Sequence, residues 1–313
     1  MSQHEAHRQQ FLEEVQRWLT DAAADAPTMS QDNAQRYCRD LARGHYENFT
    51  VASFFVPRQL RQPFYNIYAY CRWSDDLADE IDAADESLAM LDRWEAELDR
   101  CYEGEVRHPV FVALKDTIAE YDIPREPFAD LLVAFRMDQR RPVYETFDQL
   151  LEYCKYSANP VGRLVLRLGR CDSDEAVELS DAICTGLQLA NHLQDVARDY
   201  KRGRIYLPGE EMRRGGISVE TLEQPSGDDS FRQLMREQVD RAETFFDRGE
   251  PLVGLVSRQL RVQIDLFVRA GRAVLDSIRR IDYDVLAKRP TISKWRKLRL
   301  LGSAVWGLMR RGG

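Results

Sequence analysis

Apolar side chains recur three and four positions apart along nearly the whole chain of 313 residues, which is the spacing of one face of an α-helix. No stretch alternates apolar and polar residues as a half-buried strand does. The pattern therefore predicts an all-α protein. The predicted helices cover 8–20, 58–81, 87–103, 127–141, 229–249, 251–280 and 292–309, together with a long central helix that ends before Gly203.

Several residues mark where these helices begin or bend. Thr146 with Gln149 has the form of a capping box, and Ser173 can cap the central helix. Pro160 lacks a backbone donor and is expected to kink the helix that contains it. No internal repeat or linker divides the chain. We therefore expect one domain over 1–313, which includes an N-terminal helix in 1–28 and a basic C-terminal helix in 288–313.

Four oxygen-bearing side chains line one face of the central helix. At about 100° per residue, Gln188, Asn191, Asp195 and Asp199 fall within an arc of about 80°. The residues between them are mostly apolar, and a carboxylate is costly to bury without a partner. The simplest partner is a hard cation that prefers oxygen ligands, which favours magnesium carrying a phosphate.

A second predicted helix repeats this arrangement. Tyr68, Arg72, Asp75 and Asp79 lie within about 60° of one another on it. A single Asp-x-x-x-Asp pair is usually a solvated helix face, but two such pairs in apolar surroundings favour a shared function. Two carboxylate clusters facing across a helical cavity could hold several magnesium ions around one diphosphate, and Arg72 and Arg204 could bind its oxygens.

These motifs resemble those of the squalene and phytoene synthases, which condense prenyl diphosphates head to head. The resemblance runs from about His45 to the C-terminal helix. It rests on Tyr-x-x-x-Arg-x-x-Asp-Asp-x-x-Asp-Glu at 68–80, Tyr-Cys-Lys-Tyr-Ser-Ala-Asn-Pro-Val-Gly at 153–162 and Gln-x-x-Asn-x-x-x-Asp-x-x-x-Asp-x-x-x-x-Arg-x-Tyr-x-Pro at 188–208. It implies a single-domain bundle of the isoprenoid-synthase type with a central cavity, and two or three Mg²⁺ ions bound with the substrate diphosphate.

Some positions depart from the usual pattern of that family. The segment 157–160 reads Ser-Ala-Asn-Pro where Ala-Gly is usual, and Cys184 replaces a glycine. Gln194-Asp195 replaces Arg-Asp or Asp-Asp, and Asn48-Phe49 replaces Ser-Phe. These departures look most like the bacterial hydroxysqualene synthases. That branch implies ionisation of presqualene diphosphate and capture of the cation by water, which yields hydroxysqualene and diphosphate.

The motifs and the resemblance together suggest a role for each candidate residue. The metal ligands are Asp75, Asp79, Asn191, Asp195 and Asp199. The catalytic residues are Tyr68, Arg72, Tyr153, Tyr156 and Arg204, and the substrate-binding residues are His45, Asn48, Phe49, Gln188, Asn191, Tyr206 and Tyr283. Candidate aromatic faces for a carbocation are Phe49, Phe54, Tyr68, Tyr153 and Tyr156. A packed or surface position is an equal alternative for His45, and burial in the core is an equal alternative for Tyr153 and Tyr156.

Three functions follow as hypotheses. The first is a hydroxysqualene synthase, a carbon–oxygen lyase of squalene or hopanoid biosynthesis. The second is a prenyltransferase that makes presqualene diphosphate, dehydrosqualene or phytoene. The third is a non-catalytic helical binding or assembly protein, which the intact aspartate stripes disfavour. The sequence contains no Gly-x-Gly-x-x-Gly motif, so nothing in it indicates a dinucleotide-binding fold.

Charge and composition narrow the partners. The net charge is −8, and eight of the 44 Lys and Arg lie in 288–313, which has no Asp or Glu. The remaining chain is therefore more acidic still, which argues against nucleic-acid binding. The basic segment would suit docking to an anionic bilayer, with a solvated basic face of an ordinary final helix as the alternative. Six scattered cysteines and a polar N-terminus without a signal-peptide pattern suggest a cytoplasmic protein. Peripheral contact with the inner face of the membrane and association with pathway partner enzymes are further hypotheses.

Overall fold

Helices form nearly all of the regular structure in the computed structural model, which describes residues 3–23, 28–44, 56–140 and 143–291. Within those residues the β pairing consists of one isolated bridge, between Val143 and Ile205. The all-α prediction is confirmed. The chain divides into two compact units, an N-terminal unit (Met1–Thr50 with Pro57–Arg140) and a C-terminal unit (Val51–Val56 with Arg141–Gly313). The single domain with a central cavity stays a prediction.

The N-terminal unit is built around the helix that carries the first aspartate motif. Its helices are α1 (Gln3–Ala23), α2 (Gln31–Gly44), α3 (Arg61–Asp79, after a 3₁₀ turn at Arg58–Leu60), α4 (Ala84–Glu103), α5 (Pro109–Tyr121) and α6 (Glu126–Gln139). α3 packs against α2, α4, α5 and α6. Its apolar face buries Tyr70, Trp73 and Leu77 completely or nearly so. The indole of Trp73 stacks on that of Trp94, with ring centroids 5.3 Å apart.

The C-terminal unit is built around the long helix that carries the second aspartate motif. Its helices are α7 (Phe147–Ser157), α8 (Asn159–Leu168), α9 (Asp174–Lys201), α10 (Gly209–Arg214), α11 (Asp229–Gly249), α12 (Leu252–Leu255) and α13 (Arg258–Arg280). α9 packs against α7, α8, α11 and α13. α13 comes close to α11 at Gly271, where a Cβ atom would lie 2.2 Å from the ring of Phe246.

The predicted helix starts in this unit are confirmed. Thr146 and Gln149 form the capping box, and the Ser173 hydroxyl accepts a hydrogen bond of 3.3 Å from the backbone N–H of Ala176. These contacts satisfy backbone donors that a helix start leaves without partners. The central helix ends at Lys201, two residues before Gly203, which has a φ of 76°.

Two predictions about helix continuity are wrong. Pro160 does not kink one helix, because the chain leaves helical geometry at Ala158 and starts a new helix with the proline in its first turn. Proline has no backbone N–H to donate to the carbonyl four residues earlier, but that N–H is not needed in the first turn of a helix, so a break before Pro160 is less strained than a kink. The helix predicted at 251–280 is also interrupted, since Val256 is extended between α12 and α13. The predicted helix at 292–309 lies outside the described residues.

Candidate active site

The first aspartate cluster (Tyr68, Arg72, Asp75 and Asp79) lies on the last three turns of α3. Arg72 donates through Nε to Asp76 Oδ2 at 2.9 Å, through Nη2 to Asp76 Oδ1, and through Nη1 to Asp75 Oδ2 at 3.3 Å. Burial lowers the pKa of Arg72, but Asp76 and Asp75 more than offset this effect and raise it. The guanidinium is therefore held by carboxylates of its own helix.

Asp76 differs from the two aspartates predicted to bind metal. Its side chain is 3% exposed, whereas that of Asp75 is 45% exposed and Asp79 is also exposed. Burial raises the pKa of Asp76, and the charge of Arg72 opposes that change. Asp76 thus acts as the buried counter-ion of Arg72, while Asp75 and Asp79 remain accessible for a ligand.

His7 and Glu80 also belong to this region, and sequence reasoning missed both. His7 Nε2 lies 2.8 Å from Arg72 Nη2 and 3.2 Å from Asp76 Oδ1. One ligand atom each of His7, Asp76 and Glu80 lies within 4.8 Å of the others. His7 is 65 residues from Arg72 in the chain, so no local pattern could have placed them together.

Tyr68, the first residue of this cluster, is half-buried. Burial raises the pKa of Tyr68 to about 12. The charge of Arg72 lowers this pKa by a smaller amount, and that of Asp75 raises it further. The phenol therefore keeps its proton at neutral pH and can donate a hydrogen bond.

The second aspartate cluster (Gln188, Asn191, Asp195 and Asp199) lies on one face of α9, as predicted. Asn191 is exposed, while the other three side chains are half-buried. Burial raises the pKa of Asp199 to about 7, Asp195 adds to this effect, and Arg204 opposes it. Two half-buried carboxylates one helical turn apart repel each other, so both can be ionised at once only if a cation lies nearby.

Arg289 supplies a cation to this cluster, which sequence reasoning did not foresee. Its guanidinium donates through Nε to Asp195 Oδ1 and through Nη2 to Asp195 Oδ2, the latter at 3.0 Å. Gln194 Nε2 donates to the carbonyl of Pro290 at 2.7 Å and so ties the same segment to α9. The sequence reading treated Arg289 only as part of the basic segment 288–313.

Tyr153, Tyr156 and Tyr206, three of the predicted site residues, pack within the C-terminal unit. Tyr153 is 4% exposed and packs against Tyr206 and Tyr144, with ring centroids 5.5 and 5.4 Å away. Tyr206 in turn stacks on His192 with centroids 3.7 Å apart. Burial lowers the pKa of His192 to about 3, so the imidazole is neutral. Tyr156 is half-buried, so the two tyrosines of its motif differ in burial.

Tyr283 lies just after α13 in an unusual backbone conformation. Its φ is 61°, a backbone angle that residues other than glycine seldom adopt. The guanidinium of Arg236 lies over its ring, 4.7 Å from the centroid. His45, Asn48, Phe49 and Phe54, which were predicted near the substrate, lie outside the described residues.

The residues present fit magnesium. Asp75, Asp79, Asn191, Asp195 and Asp199 offer oxygen donors, which are the ligands that magnesium prefers. The raised pKa of Asp199 indicates that this carboxylate lacks full charge compensation, and a divalent cation would provide it. Each unit presents carboxylates one helical turn apart together with at least one arginine, the set of groups that binds a metal-bound diphosphate.

Several known proteins are similar to this chain in sequence. The sequence model of the squalene/phytoene synthase family matches residues 42–296. The 15-cis-phytoene synthase of Synechococcus elongatus is 34% identical over 86% of this chain and 91% of its own length, and the phytoene synthase of Arthrospira platensis is 32% identical over 87% and 92%.

Two solved structures are similar to this chain in both sequence and fold. The squalene synthase HpnC from Alicyclobacillus acidocaldarius is 45% identical with a TM-score of 0.77, covering 81% of this chain and 95% of its own. A dehydrosqualene synthase solved in complex with a ligand is 28% identical with a TM-score of 0.82, covering 90% and 98%.

Proposed function

Since the chain belongs to the squalene/phytoene synthase family, we propose that it is a hydroxysqualene synthase that converts presqualene diphosphate and water into hydroxysqualene and diphosphate. The observation that carries this proposal is the 45% identity to squalene synthase HpnC over 95% of that chain, against 34% to a phytoene synthase and 28% to a dehydrosqualene synthase. This ranking favours a product of the squalene branch. The Ser-Ala-Asn-Pro segment at 157–160 and the Gln194-Asp195 pair resemble those of hydroxysqualene synthases, and this resemblance implies capture of the cation by water.

In the proposed reaction each unit supplies metal ligands of its own. Asp75 and Asp79 serve in the N-terminal unit, and Asn191, Asp195 and Asp199 serve in the C-terminal unit. Magnesium bound there would act as a Lewis acid that neutralises the charge of the leaving diphosphate. The exposure of Asp75 and Asp79 and the raised pKa of Asp199 support this assignment.

In the proposed reaction the arginines stabilise the negative charge of the diphosphate, and the aromatic residues stabilise the positive charge of the carbocation. Arg204 and Arg72 stabilise the diphosphate as the carbon–oxygen bond breaks and its electron pair leaves with the oxygen. The cation left behind is attracted to aromatic faces such as those of Tyr68 and Tyr153. A water oxygen then bonds to the cationic carbon, and the proton released passes to the departing diphosphate. Dry apolar surroundings protect the cation from uncontrolled capture.

A prenyltransferase is the second candidate function. This chain matches the phytoene synthases of Synechococcus elongatus and Arthrospira platensis over 91% and 92% of their lengths, so it resembles those two proteins almost end to end. In that case the product would be phytoene, dehydrosqualene or presqualene diphosphate. The aspartate clusters would serve the same purpose, because both reactions begin with loss of diphosphate.

A product assay separates these functions. Purified protein with Mg²⁺ and no nicotinamide receives either farnesyl diphosphate or presqualene diphosphate, and lipids are identified by mass spectrometry. We expect hydroxysqualene from presqualene diphosphate alone. A condensed product from farnesyl diphosphate would instead establish the prenyltransferase, and no turnover of either substrate by folded protein would favour a non-catalytic binding protein.

Membrane contact is a separate proposal for the basic segment 288–313. Among the described residues, no helix is both long and apolar enough to cross a membrane. We propose that the segment binds the surface of an anionic bilayer, where its positive charges and two tryptophans can interact. Co-sedimentation with vesicles that contain or lack phosphatidylserine tests this, and removal of 292–313 should abolish binding.

A further inference from the structure

His192 is a buried polar residue whose role the proposed reaction leaves open. It lies on α9, directly after Asn191 and three residues before Asp195. The residue is 8% exposed, and its Nε2 atom is buried without a hydrogen-bond partner in the protein. A buried ring nitrogen that forms no hydrogen bond is costly, since it has lost its interaction with solvent. Tyr206 holds the ring in place by stacking on it.

The surroundings of His192 identify what its nitrogen can bind. The ring lines a small cavity of about 10 Å³, measured for the centre of a water-sized sphere. This is about the smallest space that holds one water molecule. The charged residues that line it are Asp199 and Arg204, and Tyr206 and apolar side chains such as Val196 and Leu222 complete the wall.

We propose that His192 is a positioning residue for Asp199, acting through a single water molecule held in this cavity. The water donates to His192 Nε2 and to the carboxylate of Asp199 and accepts from the guanidinium of Arg204. Three hydrogen bonds are typical for a buried water. The bridge satisfies the buried nitrogen and fixes the direction of the carboxylate.

The bridge matters for metal binding, and in this respect the inference rests on the proposed function of Asp199 as a magnesium ligand. Groups that orient a metal ligand commonly change metal affinity tenfold to a hundredfold when they are removed. Without the bridge, Asp199 can rotate towards Arg204 or solvent and must be ordered again whenever the metal binds. His192 therefore contributes to metal affinity without touching the metal.

Binding of Mn²⁺ to the full-length protein tests this inference without relying on activity. Free Mn²⁺ is measured by electron paramagnetic resonance, with and without inorganic diphosphate. We expect His192→Phe, which keeps the ring but has no nitrogen, to weaken Mn²⁺ binding by about tenfold or more. His192→Gln should retain much of the affinity, because its amide can still hydrogen-bond the water.

Two further variants keep the test decisive. His192→Leu removes the nitrogen with a different shape and replaces His192→Phe if that variant does not fold. Ser180→Ala changes another buried polar residue of α9, three turns away from His192, and should bind Mn²⁺ like the wild type.

If a folded variant without the nitrogen binds Mn²⁺ as tightly as the wild type, the bridge is wrong while the metal assignment stands. If the wild type itself binds no Mn²⁺, the metal assignment fails and the inference fails with it.

Discussion

The two aspartate clusters share a sequence pattern but are neutralised in different ways. In the first, Arg72 pairs with Asp75 and Asp76 of the same helix, which lie three and four positions away. In the second, Asp195 pairs with Arg289, which is 94 residues away in the chain. The first cluster is therefore neutralised by its own helix, whereas charge compensation in the second depends on the placement of a distant segment.

This difference separates structural from functional carboxylates. Asp76 is buried, carries the ion pair with Arg72, and is not one of the proposed metal ligands. Asp195 and Asp199 are only half-buried, and burial together with Asp195 raises the pKa of Asp199 to about 7. Substitution of a carboxylate that stabilises the fold should lower the free energy of unfolding. Substitution of a carboxylate that binds metal should lower the rate of turnover.

The largest effect is expected in the second cluster. Asp195→Asn should lower turnover of presqualene diphosphate by at least about a hundredfold, because a neutral amide is a weaker ligand for the ion that offsets the diphosphate charge. Helical circular dichroism should remain unchanged, since the half-buried side chain does not belong to the core. Full activity in this variant would show that Asp195 does not bind the metal.

The corresponding change in the first cluster should act on stability. Asp76→Asn leaves Arg72 partly buried without its bidentate partner, which typically costs about 3 kcal/mol. Chemical denaturation measures that loss. Asp92→Asn is the matched control, because Asp92 also pairs with an arginine, Arg136, but is 71% exposed; it should change stability by less than about 0.5 kcal/mol. Equal losses in the two variants would contradict the structural role of Asp76.

The raised pKa of Asp199 predicts a dependence on pH. The carboxylate must lose its proton to bind metal, so Mn²⁺ affinity should rise up to tenfold per pH unit below pH 7 and level off above it. The metal-free protein should show the opposite trend in stability. Because the folded state holds this proton more tightly than the unfolded state, the contribution is present at low pH and is lost as pH rises from about 4 through 7.

Titrations at several pH values measure both trends. Asp199→Asn removes the titrating group and should flatten the pH dependence of Mn²⁺ binding as well as weaken it. An unchanged slope in that variant would assign the pH dependence to another group.

The comparison also shows what the sequence can predict. Helix periodicity, the capping box at Thr146 and the two aspartate stripes depend on residues within a few positions of one another, so they could be predicted. The break at Ala158 was only partly predictable, because a proline can either kink a helix or begin a new one. The contacts of His7, Arg289 and His192 depend on how distant helices pack, and residue type and spacing carry no information about that packing.

Arg289 therefore provides the most specific test of the second cluster, although its expected effect is the smallest. Its guanidinium already compensates the charge of Asp195, so it competes with a metal ion for the same carboxylate. Arg289→Gln should strengthen Mn²⁺ binding in the absence of diphosphate by a few-fold, measured by electron paramagnetic resonance. Arg136→Gln removes a comparable ion pair in the N-terminal unit and should leave that affinity unchanged. Weaker Mn²⁺ binding in Arg289→Gln would instead mean that Arg289 orients Asp195 for the metal, and the two clusters would then both depend on an arginine to hold their ligands.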